Sequence, residues 1–205
     1  MSQPLHKYLA LGDSYTIGTG TEAPESWPFQ LVRTLRLRGF SLKTPVIIAK
    51  NGWTTADLLE SLSRISSPEH FDLVTLLIGV NDHYENFSLE TYRTNFQRLL
   101  HRCLQFTDGR PESILVLSIP DWSVTPFARN RDPDIIRQGI AEFNEINRLL
   151  ADKFTTRYHN ITSLSRKAAD DLELLADDEL HPSSPMYTLW TESILPQVEK
   201  ILSPS

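Results

Sequence analysis

The stretch Leu73-Val74-Thr75-Leu76-Leu77-Ile78, followed at once by Gly79-Val80-Asn81-Asp82, decides the architecture. A run that is apolar on both faces describes a strand covered from two sides, as in a parallel sheet with helices packed on each face. Three further runs are of the same kind: Tyr8-Leu9-Ala10-Leu11, Val46-Ile47-Ile48-Ala49 after Pro45, and Ile114-Leu115-Val116-Leu117-Ser118-Ile119 closed by Pro120. A fifth, less continuous run surrounds Tyr158, Ile161 and Thr162. The segments between them carry the 3.6-residue period of helices.

Thr54, with Asp57 three residues on, starts one such helix, whose stripe is Leu58, Leu62 and Ile65 and whose stop is Pro68. Ser88 caps the next, with Leu89, Tyr92, Phe96, Leu99 and Cys103 on one face and Gly109 and Pro111 beyond its end. Asp132-Pro133 opens another, with Ile136, Ile140, Phe143 and Leu150 facing inward. The last begins near Ser184-Pro185 and carries Tyr187, Trp190, Ile194, Val198 and Ile201; Pro196 inside it predicts a kink or an early end. Residues 121–132, with Trp122 and Phe127, form the longest irregular insertion. With no repeat, low-complexity run or linker, the pattern predicts an α/β fold. It is a single doubly wound, flavodoxin-like, three-layer domain over residues 1–205, with a parallel five-stranded sheet.

Composition narrows the function. With 20 Lys and Arg against 26 Asp and Glu, the net charge of −6 argues against a nucleic-acid partner. The local basic group Arg33, Arg36, Arg38 and Lys43 reads as a solvated helix end. The one cysteine, Cys103, falls on an apolar stripe and excludes an internal disulfide and a cysteine-rich zinc site. No stretch reaches the ~18 apolar residues of a membrane span. The first residues lack the apolar core of a signal peptide, so the chain as given is expected in the cytoplasm, without integral membrane association.

In such sheets ligands bind beyond the carboxyl ends of the strands. Those ends carry Gly12-Asp13-Ser14-Tyr15, Asn51-Gly52-Trp53 and Gly79-Val80-Asn81-Asp82, and a late loop carries Asp178-Glu179-Leu180-His181. Together they supply a serine, backbone donors, a carboxamide, a carboxylate and an imidazole, the parts acyl transfer needs. Taken singly, each has a structural reading. Asp13 organises a turn, Gly52 marks a positive φ, Asn81-Asp82 caps the next segment, and Asp177 competes with Asp178 as the carboxylate beside His181. The other histidines, His6, His70, His83, His101 and His159, show no ligand spacing.

Gly12-Asp13-Ser14, Gly52, Gly79-x-Asn81 and Asp178-x-x-His181 resemble, in order, the four sequence blocks of the SGNH (GDSL-type) hydrolases, with Tyr15 where the first block usually has leucine. The resemblance implies hydrolysis of an ester or thioester through an acyl-serine intermediate. It assigns Ser14 as nucleophile, His181 as base and Asp178 as the carboxylate that orients it. The oxyanion hole would comprise the backbone N–H groups of Ser14 and Gly52 and the side-chain amide of Asn81. No G-x-S-x-G elbow occurs, which separates the chain from the α/β-hydrolases.

A small-molecule ester is therefore the expected partner, with no metal and no cofactor. Small acyl groups are expected because no long apolar lid helix is visible. Acetylated sugars, lysophospholipids and acyl thioesters are the other substrates the family resemblance allows. Trp53, Trp122 and Phe127 are candidates for an apolar wall or a stacking platform, and His83 and Tyr84 for the pocket lining. A catalytically silent binding module on the same scaffold is one alternative. A metal-dependent deacetylase with Asp178 and His181 as ligands is another, and it lacks a second histidine at suitable spacing.

Overall fold

The structure, a computed structural model, describes residues 5–65 and 69–203. Five parallel strands, β1 (Tyr8–Gly12), β2 (Val46–Ala49), β3 (Leu73–Leu77), β4 (Ile114–Leu117) and β5 (Arg157–His159), pair in the order β2-β1-β3-β4-β5. That is the predicted flavodoxin-like order. The helices are α1 (Ser14–Ile17), α2 (Trp27–Leu37), α3 (Thr55–Ser63), α4 (Val80–Tyr84), α5 (Leu89–Phe106), α6 (Pro133–Lys153), α7 (Thr162–Ser165) and α8 (Ser184–Leu202).

Successive strand residues point to opposite faces, and each face has its own core. Leu9, Leu11, Val74, Leu76, Ile114 and Val116 pack with α3, α5 and α6. Tyr8, Ala10, Leu73, Leu77, Leu115 and Leu117 pack with α2 and α8. This division explains why the central strands are apolar at nearly every position. Edge strand β2 does not share it: Val46 is exposed and the rest of the strand is half-buried.

Helix starts follow the local chemistry. Thr54 and Asp57 form a full capping box on α3, Ser88 accepts from the Thr91 N–H, and Asp132 accepts from Asp134 and Ile135 ahead of Pro133.

Several sequence expectations need correction. The fifth strand is only Arg157–His159; Ile161 is buried outside it, and Thr162 opens α7. Leu89, placed on the buried stripe of α5, is exposed, while Tyr92, Phe96, Leu99 and Cys103 are buried. Helix α8 runs on through Pro196 to Leu202, so the early end does not occur. Pro68, expected to stop α3, lies outside the described residues. Helix α2, of which the sequence shows only a basic end, buries Trp27, Leu31, Val32 and Leu35 on one face. The basic group lies at and beyond its end: Arg36 donates to the Leu42 carbonyl, and Arg33 and Arg38 pair with Glu25 and Glu199.

The turn from β3 into α4 rests on Gly79, whose φ is 126°, a value L-residues rarely adopt. A Cβ there would clash with the Tyr92 hydroxyl and the Ile119 side chain. Gly79→Ala combines strain with overpacking and is expected to cost at least about 2 kcal/mol. That corresponds to a fall in Tm of roughly 4–8 °C for a chain of this length; an unchanged Tm in a thermal melt would contradict the close packing.

Candidate active site

Three strand ends and one hairpin meet above the sheet. Ser14 is the first residue of α1, directly after β1; Asp13 precedes it and accepts the Tyr15 N–H at 3.0 Å. A first-turn N–H has no partner within its own helix, so the Ser14 backbone donor is available beside its own hydroxyl. The hydroxyl lies 3.0 Å from Nε2 of His181, and Nδ1 of His181 lies 2.6 Å from Oδ2 of Asp178. An ionised carboxylate only accepts, so Nδ1 carries the proton and Nε2 faces the serine as an acceptor. Asp177 is exposed beside this arrangement, and the imidazole's partner is Asp178.

The Asp178-x-x-His181 spacing has a local cause. The loop is the tip of a small hairpin closed by a bridge between Leu175 and Pro182 and by the Ala176 N–H donating to the His181 carbonyl at 2.8 Å. Within the tip, Asp178 Oδ1 accepts the N–H groups of Leu180 and His181, which leaves Oδ2 for the imidazole. Partial burial raises the Asp178 carboxyl, but the bonds donated by the His181 backbone, the His181 ring and Leu180 outweigh it. They hold the group below its ordinary range. The carboxylate therefore stays ionised wherever the imidazole works.

The turns after β2 and β3 are tied to each other. The Asn81 amide donates to the Trp53 carbonyl at 2.8 Å, and a carboxamide has a second N–H to offer. Asp82, fully buried, accepts the backbone N–H of Thr55 at 2.8 Å and also pairs with the Thr55 hydroxyl. Asp82 is thus structural, yet it holds the start of α3 rather than capping its own turn. Gly52 sits at the tip of the β2 turn with φ 79°, in open space. Its N–H makes no hydrogen bond among the described residues.

These elements enclose a pocket of about 230 Å³ that contains Ser14, Asn81 and His181, with Asn51 at the Gly52 side. Its apolar wall is Tyr84, Trp122 and Phe127. Trp53 is not in that wall; it packs against the core on the α3 side. His83 is also absent from the lining. Its ring lies edge-on beneath Trp122 and against Phe143, and burial lowers its pKa. Tyr15, where the family pattern has leucine, lines the pocket and sets its ring edge-on to His181, 5.7 Å between centroids.

Sequence reasoning missed two contributors. Gly20 lets its loop approach the hairpin so closely that a Cβ would touch Ala176 and come near Asp178 and His181. Leu180 lines the pocket from inside the Asp178–His181 spacing. Neither has a recognisable signal: a glycine after a short helix and a leucine between two motif residues look ordinary.

A hydroxyl after a strand of the parallel sheet, in file with an imidazole and a carboxylate on a hairpin, is the arrangement that serine hydrolases use. The model of the GDSL-like lipase/acylhydrolase family matches residues 10–189, and the chain belongs to that family. Solved structures agree in fold. TesA superposes with a TM-score of 0.75 at 18% identity, covering 95% of this chain and 99% of that one. The acetylxylan esterase Axe2 from Geobacillus stearothermophilus gives 0.74 at 17% identity, covering 94% of each chain. A lipase/acylhydrolase from Enterococcus faecalis gives 0.74 at 22%, covering 97% and 98%. No curated protein matches the sequence. Among the described residues no helix is long and apolar enough to cross a membrane.

Asp13 carries a pH signature. Burial pushes its carboxyl up to about 8, against the pull of the Tyr15 N–H and with the help of the nearby Asp82 charge. The folded chain therefore holds a proton that the unfolded chain releases near pH 4, and this group's contribution to stability falls as pH rises from about 4 to 8. Asp13→Asn removes the titration and keeps an acceptor for Tyr15. The variant's Tm relative to the native chain is expected to climb across that window and level off above it; parallel Tm–pH curves would contradict the assignment.

Proposed function

We propose that the chain hydrolyses carboxylic esters of small acyl groups, acetyl or short-chain, through an acyl-serine intermediate. The observation that carries this reading is the Ser14–His181–Asp178 line of hydrogen bonds opening into a pocket of limited volume. In the proposed reaction Ser14 Oγ bonds to the ester carbonyl carbon while its proton passes to His181 Nε2. The tetrahedral intermediate expels the alcohol, which takes that proton, and the acyl group stays on Ser14. Water then gives a proton to His181, attacks the acyl carbon and releases the acid, and the proton returns to Ser14. Asp178 holds the imidazole tautomer and offsets the charge of the imidazolium. The carbonyl oxygen, negative in each tetrahedral state, is received by the N–H groups of Ser14 and Gly52 and by the free N–H of Asn81.

The pocket's size supports short acyl groups. The pocket's space of about 230 Å³ is shared between acyl and alcohol portions. The space behind Tyr15, Trp122 and Leu180 is only about 10 Å³, too little to extend a chain. The acetylxylan esterase among the structural neighbours accords with an acetyl-sized acyl group.

A series of 4-nitrophenyl esters from acetate to dodecanoate tests the reading. kcat/KM is expected to fall beyond about six carbons, because the roughly 0.8 kcal/mol per buried CH₂ is gained only where a pocket receives it. Efficiency that rises through the long chains would point to a lipid or long-chain thioester substrate instead.

A further inference from the structure

The aromatic wall of the pocket carries a cation that the hydrolytic step does not use. Arg131 is exposed and stands at the end of the 121–132 insertion, where its backbone N–H donates to the Ala128 carbonyl at 2.8 Å. Its guanidinium carbon lies 4.6 Å from the centroid of the Tyr84 ring and 5.3 Å from that of Trp122. One of its nitrogens, Nη2, donates to the Tyr84 hydroxyl at 2.9 Å. Both rings line the pocket that holds Ser14.

Arg131 is held by aromatic groups rather than by a carboxylate, and other exposed arginines, Arg93, Arg98 and Arg129 among them, also lack an ion pair among the described residues. Arg137, Arg148 and Arg166 each form an ion pair with a carboxylate. Among the described residues Arg131 forms none. The adjacent Asp132 is turned to the start of α6, where its Oδ1 accepts from Asp134 and Ile135. A guanidinium has five N–H donors, and only one is taken by Tyr84. The phenol, accepting from a cation, keeps its own O–H to donate, and polarisation along such a chain strengthens that donor. Stacking on two rings also pre-orders a side chain that would otherwise lose much freedom on binding. The result is a positioned set of donors with no ion pair among the described residues, stacked on two residues of the pocket's wall, in a chain whose net charge is −6.

We propose that Arg131 and Tyr84 form an anion subsite, and that the substrate is an ester bearing a carboxylate or phosphate a few bonds from the scissile carbonyl. A planar fork of N–H donors matches two oxygens of either group. This rests on the reading of Ser14 as the nucleophile in the same pocket.

Matched substrates test it. 4-Acetoxybenzoate is paired with its methyl ester, 4-acetoxyphenyl phosphate with its dimethyl ester, and phenyl hemisuccinate with phenyl methyl succinate. The first two pairs carry the charge on the alcohol side and the third on the acyl side. The readout is the ratio of kcat/KM, anionic over neutral, which cancels any loss of folded enzyme. In at least one pair Arg131→Gln is expected to lower that ratio fivefold or more, chiefly through KM, and Arg131→Lys to restore part of it. A fall below fivefold in every pair overturns the proposal.

Failure of the hydrolytic reading is separable. If the native chain cleaves none of these esters, titration of 4-hydroxybenzoate and phenyl phosphate against intrinsic tryptophan fluorescence still decides. Binding weakened fivefold or more by Arg131→Gln supports the subsite; equal binding removes it.

Discussion

The parallel register of β1 and β3 is the constraint on which the site depends. It sets Gly12 opposite Leu77, so both strands end at the same level and their next residues turn upward side by side. Ser14 leaves one turn and Asn81 the other. The β2 turn joins them through the Asn81 amide on the Trp53 carbonyl and Asp82 on the first residue of α3. Only the imidazole and its carboxylate arrive from far along the chain, on a hairpin fixed by its own backbone bonds. Donors prearranged in this way need little reorganisation as charge develops on a substrate oxygen.

The carboxylates near the site have opposite environments, and that separates their duties. Asp178 is partly exposed and accepts three hydrogen bonds, so it keeps its charge beside His181. Asp13 is buried with one oxygen unpartnered among the described residues, and it is held toward its neutral form directly next to Ser14. Asp82 is buried as well; burial pushes it up while its bonds to Thr55 oppose the shift. With Asp13 held toward its neutral form, Asp178 is the carboxylate that His181 meets, which suits the proposed passage of a proton from Ser14 through the imidazole.

Much of this was legible in the sequence because parallel strands buried on both faces write continuous apolar runs, and because strand ends are where such sheets place chemistry. Ser14, Asn81 and His181 line one pocket and Asp178 bonds to His181, and the caps at Thr54, Ser88 and Asp132 appear where local chemistry put them. What escaped the sequence depends on contacts between distant segments. β5 is short and half-buried, so its apolar signal blurred into Ile161 and Thr162. Trp53 and Trp122 look alike as loop tryptophans in the sequence, yet Trp53 only packs against the core, while Trp122 is part of that core and also walls the pocket. The stacking of Arg131 on Tyr84 joins residues 47 positions apart, a pairing no local pattern announces.

The central claim is that Ser14 is the nucleophile activated by His181. The most direct measurement is peptide mass mapping after treatment with a small alkyl fluorophosphonate, on the native chain and on His181→Ala. One adduct per chain is expected, on Ser14, formed far more slowly once the imidazole is removed. An adduct on another residue, or labelling of Ser14 at the same rate without His181, would contradict it.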